Sequence, residues 1–197
     1  MSNNTSQFDF IDTKPDLSTL SIGGERIRLL SISRAHEQNI FEEFTSDITT
    51  YMIPKPADSI EETRAFIEAS LEGFARADNL VFVILDKQTD EFLGCCGLHG
   101  RSGVTNPEFG IWLKRSAHGR GLGREAIRTL ALWAQERMRL ESFVYPVDKR
   151  NLPSRKIPES LGGVVFAEGV DEGMAGNVLE EVVYRIPVPI KIKKRVP

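Results

Sequence analysis

Cysteine is nearly absent from this chain: there are two among 197 residues, and they are neighbours, Cys95 and Cys96. Adjacent residues on a strand point to opposite faces, so the pair provides neither a disulfide framework nor a metal-ligand spacing. A reducing, cytoplasmic compartment is the expectation. Histidine is equally sparse. His36, His99 and His118 share no ligand spacing, and no metal is expected. No apolar run approaches the length that spans a bilayer, and the start is polar through Gln7 without the apolar core of a signal peptide, so no membrane partner is expected. Excess positive charge is missing too: the formal net charge of −3 offers no field to nucleic acid. A Gly-Lys-Ser/Thr is nowhere present, which excludes a nucleoside-triphosphate P-loop.

What is present is the composition of a globular domain. Hydrophobic residues make up 41% and charged residues 27%, and the length suits one domain with a real core. Residues 1–22 read as an N-terminal extension in which Phe8, Phe10 and Ile11 are free to pack, residues 23–187 as the domain, and residues 188–197 as a basic tail carrying Lys191, Lys193, Lys194 and Arg195.

The densest signal lies where the strand-like run of residues 108–113 meets Gly119, Gly121 and Gly123, with an amphipathic helix following at once. Glycines at this spacing let a backbone approach a ligand and turn its N–H groups toward it. The helix start adds unpaired donors and the positive end of a dipole, which together favour a pyrophosphate. A nicotinamide fingerprint would need GxGxxG after the first strand of the unit, whereas the spacing here is GxGxG and Glu141, the available ribose acid, sits at the helix end.

Coarse periodicity fills in the rest. Residues 26–32 alternate as a first strand, and Ser33 is positioned to cap a helix running to about Phe44. Ser59 and Glu62 form a capping box for a helix whose expected inner face is Ala65, Phe66, Ala69 and Phe74. Residues 80–85 and 92–98 read as a hairpin about the turn at 86–90. The glycine-loop helix buries Ile127, Leu130, Ala131 and Ala134. Strands at 142–147, 164–167 and 181–186, with a short helix at 153–161, complete the order β-α-α-β-β-β-α-β-α-β-β.

The sequence His118-Gly119-Arg120-Gly121-Leu122-Gly123 resembles the acetyl-coenzyme-A loop of the Gcn5-related N-acetyltransferases (GNAT), written Q/R-x-x-G-x-G/A, with His118 at its first position. The strand Glu108-Phe109-Gly110-Ile111-Trp112-Leu113 resembles the EIGYWL strand of the ribosomal-protein N-terminal (RimJ/RimL-like) branch. The run from Asn151 through Ser154, Glu159 and Leu161 to Gly163 follows that branch's N-x-x-S-x-x-x-x-E-K-L-G-F segment without a gap. With Thr50, Tyr51 and Met52, the resemblance covers roughly residues 25–186. It implies an α/β GNAT fold, a mixed central sheet of about seven strands with helices on both faces.

It implies chemistry as well: direct attack of an amine, on a protein N-terminus or a small molecule, on the thioester of acetyl-CoA. The family's cleft lies between parallel strands, here those at 110–113 and 142–147. Backbone groups of Ile111, Trp112 and Leu113 would meet the pantetheine arm. His118, Gly119, Arg120, Gly121, Leu122, Gly123 and Arg124 would hold the pyrophosphate, with Asn151 capping the later helix and touching the cofactor. Lys114, Arg115, Arg155 and Lys156 are further cations within reach of phosphates. Glu108 is the candidate base, suited to accept a proton by burial beside Trp112 on the same strand face; an ordinary ion pair is its plainer role. His99 is a second choice. Ser154 matches the branch's serine beside the departing thiolate, the tyrosine of other members being replaced by Pro158.

Three departures stand out. His118 removes a long side chain, Pro158 should kink or shorten the helix that carries Ser154, and Gly163 replaces a phenylalanine, with Phe166 placed to fill the gap. Asp47, Tyr51, Asp58, Glu61, Asp171, Glu172 and Glu180 form a candidate acidic rim for a cationic acceptor. A catalytically silent acyl-CoA-binding sensor is the alternative from another class, and a homodimer stays open.

Overall fold

The structure, a computed structural model, describes residues 7–191, so Lys193, Lys194 and Arg195 of the basic tail lie outside the described residues. Period-two alternation sets the first long strand. In β2 (Ile27–Ser31), Ile27, Leu29 and Ser31 are buried on one face while Arg28 and Leu30 turn to the other. A three-residue strand, β1 (Ser21–Gly23), pairs antiparallel with it, Ile22 opposite Leu29. The boundary expected after residue 22 therefore falls inside β1. The extension is docked: Phe8 is buried and donates its N–H to Ala77 O at 2.7 Å, and Ile11 N–H reaches Arg137 O at 2.8 Å.

The chain continues through α1 (Glu37–Glu43), α2 (Ser46–Thr49), α3 (Ile60–Arg76), β3 (Asn79–Asp86), β4 (Phe92–His99), β5 (Glu108–Leu113), α4 (Leu122–Arg137), β6 (Ser142–Asp148), α5 (Leu152–Ser160), β7 (Val164–Glu172) and β8 (Val178–Pro187). The sheet order is β1-β2-β3-β4-β5-β6-β8-β7. Neighbours are antiparallel except β5 and β6, which are parallel. The count is thus eight rather than about seven, β1 being the addition. Alternation along β5 divides the two faces. Ile111 and Leu113 point at Gly123 on α4, whereas Trp112 points the other way and packs its ring 4.9 Å from that of Phe44 beside α1.

Several local expectations give way to other physics. Ser33 precedes a 3-10 turn (Arg34–His36), and its hydroxyl makes no capping bond; the helix proper starts only at Glu37. On α3, Ser59 Oγ does accept from Glu62 N at 3.4 Å, but the buried face is Thr63, Ile67, Ser70, Gly73 and Phe74, while Ala65, Phe66 and Ala69 face solvent. Burying Ser70 is tolerated because its hydroxyl donates to Phe66 O at 2.8 Å.

Candidate active site

The sheet opens between β5 and β6. Pairing of these strands consists of the single register Glu108 with Val144, although β5 is bonded to β4 along its whole length and β6 to β8 along its own. Beyond Glu108 the two parallel strands part, and the edge of residues 110–113 that faces β6 has no ladder partner. Unpaired backbone of this kind needs another partner.

The glycine loop closes one side of that opening. Gly119 and Gly121 sit at φ +73° and +74°, a region that glycine occupies without a Cβ penalty. A Cβ at Gly119 would meet nothing, so the loop is open outward. Gly121 caps α4 with no side-chain bond, leaving the first N–H groups of that helix to an incoming acceptor. The loop is tied down from behind. Glu125 accepts from Arg26 N at 2.6 Å, Arg26 Nε at 2.8 Å and Ile27 N at 3.3 Å, and Arg26 also donates to Arg120 O at 3.1 Å. Burial pushes the Glu125 carboxyl upward, but these bonds prevail and hold it below its usual value.

His118 does not reach outward. Its Nε2 lies 2.8 Å from Leu113 O, so the ring braces the loop and occupies that carbonyl. Leu122 is buried, and what it offers a ligand is its N–H alone. Arg115, Arg120, Arg124 and Lys156 are exposed around the opening. Lys114 instead pairs with Glu91 at 2.8 Å, and Arg155 donates to Tyr184 Oη at 3.0 Å; both are structural cations.

On α5, Asn151 caps the helix by accepting from Ser154 N at 3.3 Å. Pro158 lies within the helix and is buried, yet the element runs unbroken to Ser160. The bends come after it: Leu161 N and Gly163 N both bond Pro158 O, at 3.0 and 2.9 Å. That turn explains Gly163. A Cβ there would stand 2.8 Å from Pro158 O, so a phenylalanine does not fit. Phe166 does not fill the gap; it is 44% exposed and stacks under Arg185, whose guanidinium carbon lies 4.1 Å from the ring centre. Ser154 Oγ lies 2.8 Å from the hydroxyl of Tyr145, a residue that no motif singles out.

The opposite face of the sheet carries a cavity of about 780 Å³ whose lining includes Glu108, Val144, Pro146, Asp171, Glu181, Arg101 and Glu141. Of the expected acidic rim, Asp171 lines it and the other six do not. Glu108 is in the ion pair foreseen as its plainer role: Arg101 Nε is 3.5 Å away and Ser102 Oγ donates at 3.2 Å. Trp112 does not shield it, because the indole packs against Phe44 and Phe92 at the far end of the strand. Glu181, missed from sequence, faces the same space; desolvation first, then the charges of Asp171, Glu108 and Asp148, push its carboxyl upward. His99 Nδ1 donates to Asn79 Oδ1, and its ring lies over Gly97 and Gly110, where any side chain would collide with it. Among the described residues, no group of three or more His, Cys, Asp or Glu is placed to hold a metal ion, and no helix is long and apolar enough to cross a membrane.

Comparison with known proteins gives this geometry a context. The acetyltransferase (GNAT) domain family matches residues 26–164. An uncharacterized N-acetyltransferase, p20, of Bacillus licheniformis is 30% identical over 149 residues, covering 70% of this chain and 78% of that protein. The solved structure of RimL, a ribosomal L7/L12 alpha-N-protein acetyltransferase in complex with coenzyme A, superposes with a TM-score of 0.74 at 15% identity, covering 86% of this chain and 98% of that one. An acetyltransferase of Salmonella typhimurium that modifies the N-terminal serine of ribosomal protein L7/L12 gives 0.74 at 15%, covering 86% and 99%. At such identities the structural likeness speaks for the fold.

Proposed function

The chain belongs to the GNAT acetyltransferase family and is an acyltransferase, and from that premise we propose that it acetylates a primary amine, on a protein N-terminus or a small molecule, by direct attack within a complex of both substrates. The observation that carries the reading is the opening between β5 and β6, with the glycine loop on one face of the sheet and the acid-lined cavity on the other. Bound acetyl-CoA supplies the activated acyl group. The outward-open loop, the uncapped start of α4 and the exposed Arg120 and Arg124 fit its pyrophosphate. Backbone groups of Ile111 and the Leu113 N–H face the opening and orient the pantetheine arm, whereas the Trp112 backbone faces β4 and is engaged there. Asn151 keeps α5 in place beside the arm.

The residues divide the proton work. The amine nitrogen bonds to the carbonyl carbon, the carbon–sulfur bond breaks, and its electron pair goes to sulfur. Glu108 takes the amine proton, directly or through water, and Ser154 donates a hydrogen bond to the departing thiolate. The cavity carries four acids, Glu108, Glu141, Asp171 and Glu181, against two bases, Arg101 and Arg185. An amine arriving as a cation is therefore drawn in. The branch resemblance and the two ribosomal-protein enzymes above support an N-terminal α-amine as the first acceptor class to try.

Isothermal titration with acetyl-CoA, coenzyme A and NAD(P)H tests the cofactor reading: binding of the first two and not the third is expected, and no heat with acetyl-CoA overturns it. Coenzyme A release is then followed with peptides bearing free N-termini and with polyamines. Glu108→Gln is expected to lower kcat by roughly 100-fold. Should Glu181→Gln carry that loss instead, the base lies across the cavity. Turnover with no amine on either panel would favour a silent acyl-CoA sensor.

A further inference from the structure

We propose that Tyr145 is the positioning residue for Ser154, its phenol donating to the serine oxygen and so turning the serine's own proton toward the sulfur of bound coenzyme A. The inference rests on the reading of Ser154 above. Tyr145 leaves β6 on the same face as Phe143, whose ring stacks on Phe109 at 4.7 Å, that is, on the face covered by α4 and α5. It is 2% exposed, and among the described residues its hydroxyl has one hydrogen-bond partner, Ser154 Oγ at 2.8 Å.

Which oxygen donates follows from chemistry. A buried hydroxyl hydrogen must be used or its desolvation goes uncompensated, and Tyr145 has nowhere else to place it. The phenol is the more acidic of the two hydroxyls and the better donor. Ser154 is only half-buried, so its hydrogen has an alternative outlet. Serines inside helices often bond back to the carbonyl four residues earlier. Ser154 is the third residue of α5, that position falls on Arg150 outside the helix, and no such bond is made. The Ser154 proton is thus left to point outward, and a hydroxyl that accepts one hydrogen bond donates a stronger one.

The geometry is held on both sides. Asn151 Oδ1 fixes the Ser154 backbone, while Tyr184, taking a bond from Arg155 and giving one to Glu159 at 2.9 Å, moors the same helix to β8. No proton leaves Tyr145 in this scheme. Its contribution is orientation and polarisation of a neighbour.

Free coenzyme A is the probe, and the ultraviolet absorbance of its thiolate is the readout, so no acceptor is required. At a given pH the complex with the unaltered protein is expected to hold about tenfold more thiolate than free coenzyme A, the equivalent of one good hydrogen bond to the anion. Tyr145→Phe and Ser154→Ala should each remove most of that gain, and the double variant should match Ser154→Ala alone. Tyr145→Met serves if the phenylalanine variant does not fold. A Tyr145→Phe complex that titrates like the unaltered protein overturns the proposal, as does a double variant that loses more than Ser154→Ala. Failure of coenzyme A to bind would sink the Ser154 reading and this one together, and it would show in the binding isotherm before any titration.

Discussion

His99 shows how one residue's surroundings set a pH response. Burial first, and the Arg101 charge second, push its imidazole down to about 4. The folded value lies below the ordinary unfolded one of about 6.5, so the neutral ring contributes stability that is fully present above that pH. The contribution is lost as pH falls through the folded value. Urea unfolding of the unaltered protein should therefore show stability declining between about pH 6.5 and 4, with a shallower decline in His99→Gln. Equal slopes for the two proteins would exclude the assignment. The sequence marked His99 as a secondary base; Gly97, two residues away on the same strand, shares its face by alternation, but Gly110 lies on the neighbouring strand and could be matched to it only in three dimensions. Glu181 escaped notice for a related reason, since Glu108 of β5 and Asp148 of β6, which act on it, are distant in sequence. Tyr145 is only nine residues from Ser154, but one lies on a strand and the other on a helix, and no single periodicity pairs them.

At the scale of elements, α5 depends on a proline and a glycine acting together. Gly163→Ala places a methyl group against Pro158 O and should destabilise the fold by about 1–3 kcal/mol, read as a lower urea midpoint at unchanged m-value. If the variant is as stable as the parent, the close approach is not a constraint. The glycine loop, its strand and its helix were legible because their signals are local: alternation in β5, glycine spacing, and Ile127, Leu130, Ala131 and Ala134 at helical period, all four buried. The face of α3 was not. Its buried positions include Thr63 and Ser70, and its exposed ones include Phe66, so apolar character does not mark the inner side. Strand β1, only three residues long, exists through pairing with β2 rather than through any pattern of its own.

The whole molecule buries both thiols, one on each face of the sheet. Cys95 and Cys96 are each 2% exposed, and burial pushes both thiols upward. Neither should react with an aromatic disulfide reagent in the native state; modification should track global unfolding as urea rises. Rapid labelling of one thiol in native buffer would show that the sheet opens locally. In the β7–β8 hairpin, β8 is part of this well-packed body, whereas β7 stands outside it. All nine residues of β7 are exposed, the strand bonds only to β8, and its far turn rests on the chain at Ile53 through Met174 N at 2.7 Å. Still, Asp171 from β7 and Glu181 from β8 help to wall the cavity. The loop side is wired into the core through Arg26 and Glu125, whereas the cavity borrows a wall from the outermost ribbon. Sequence drift in that ribbon can thus reshape what enters while the machinery behind it is inherited intact, much as a lock is rekeyed without changing the bolt.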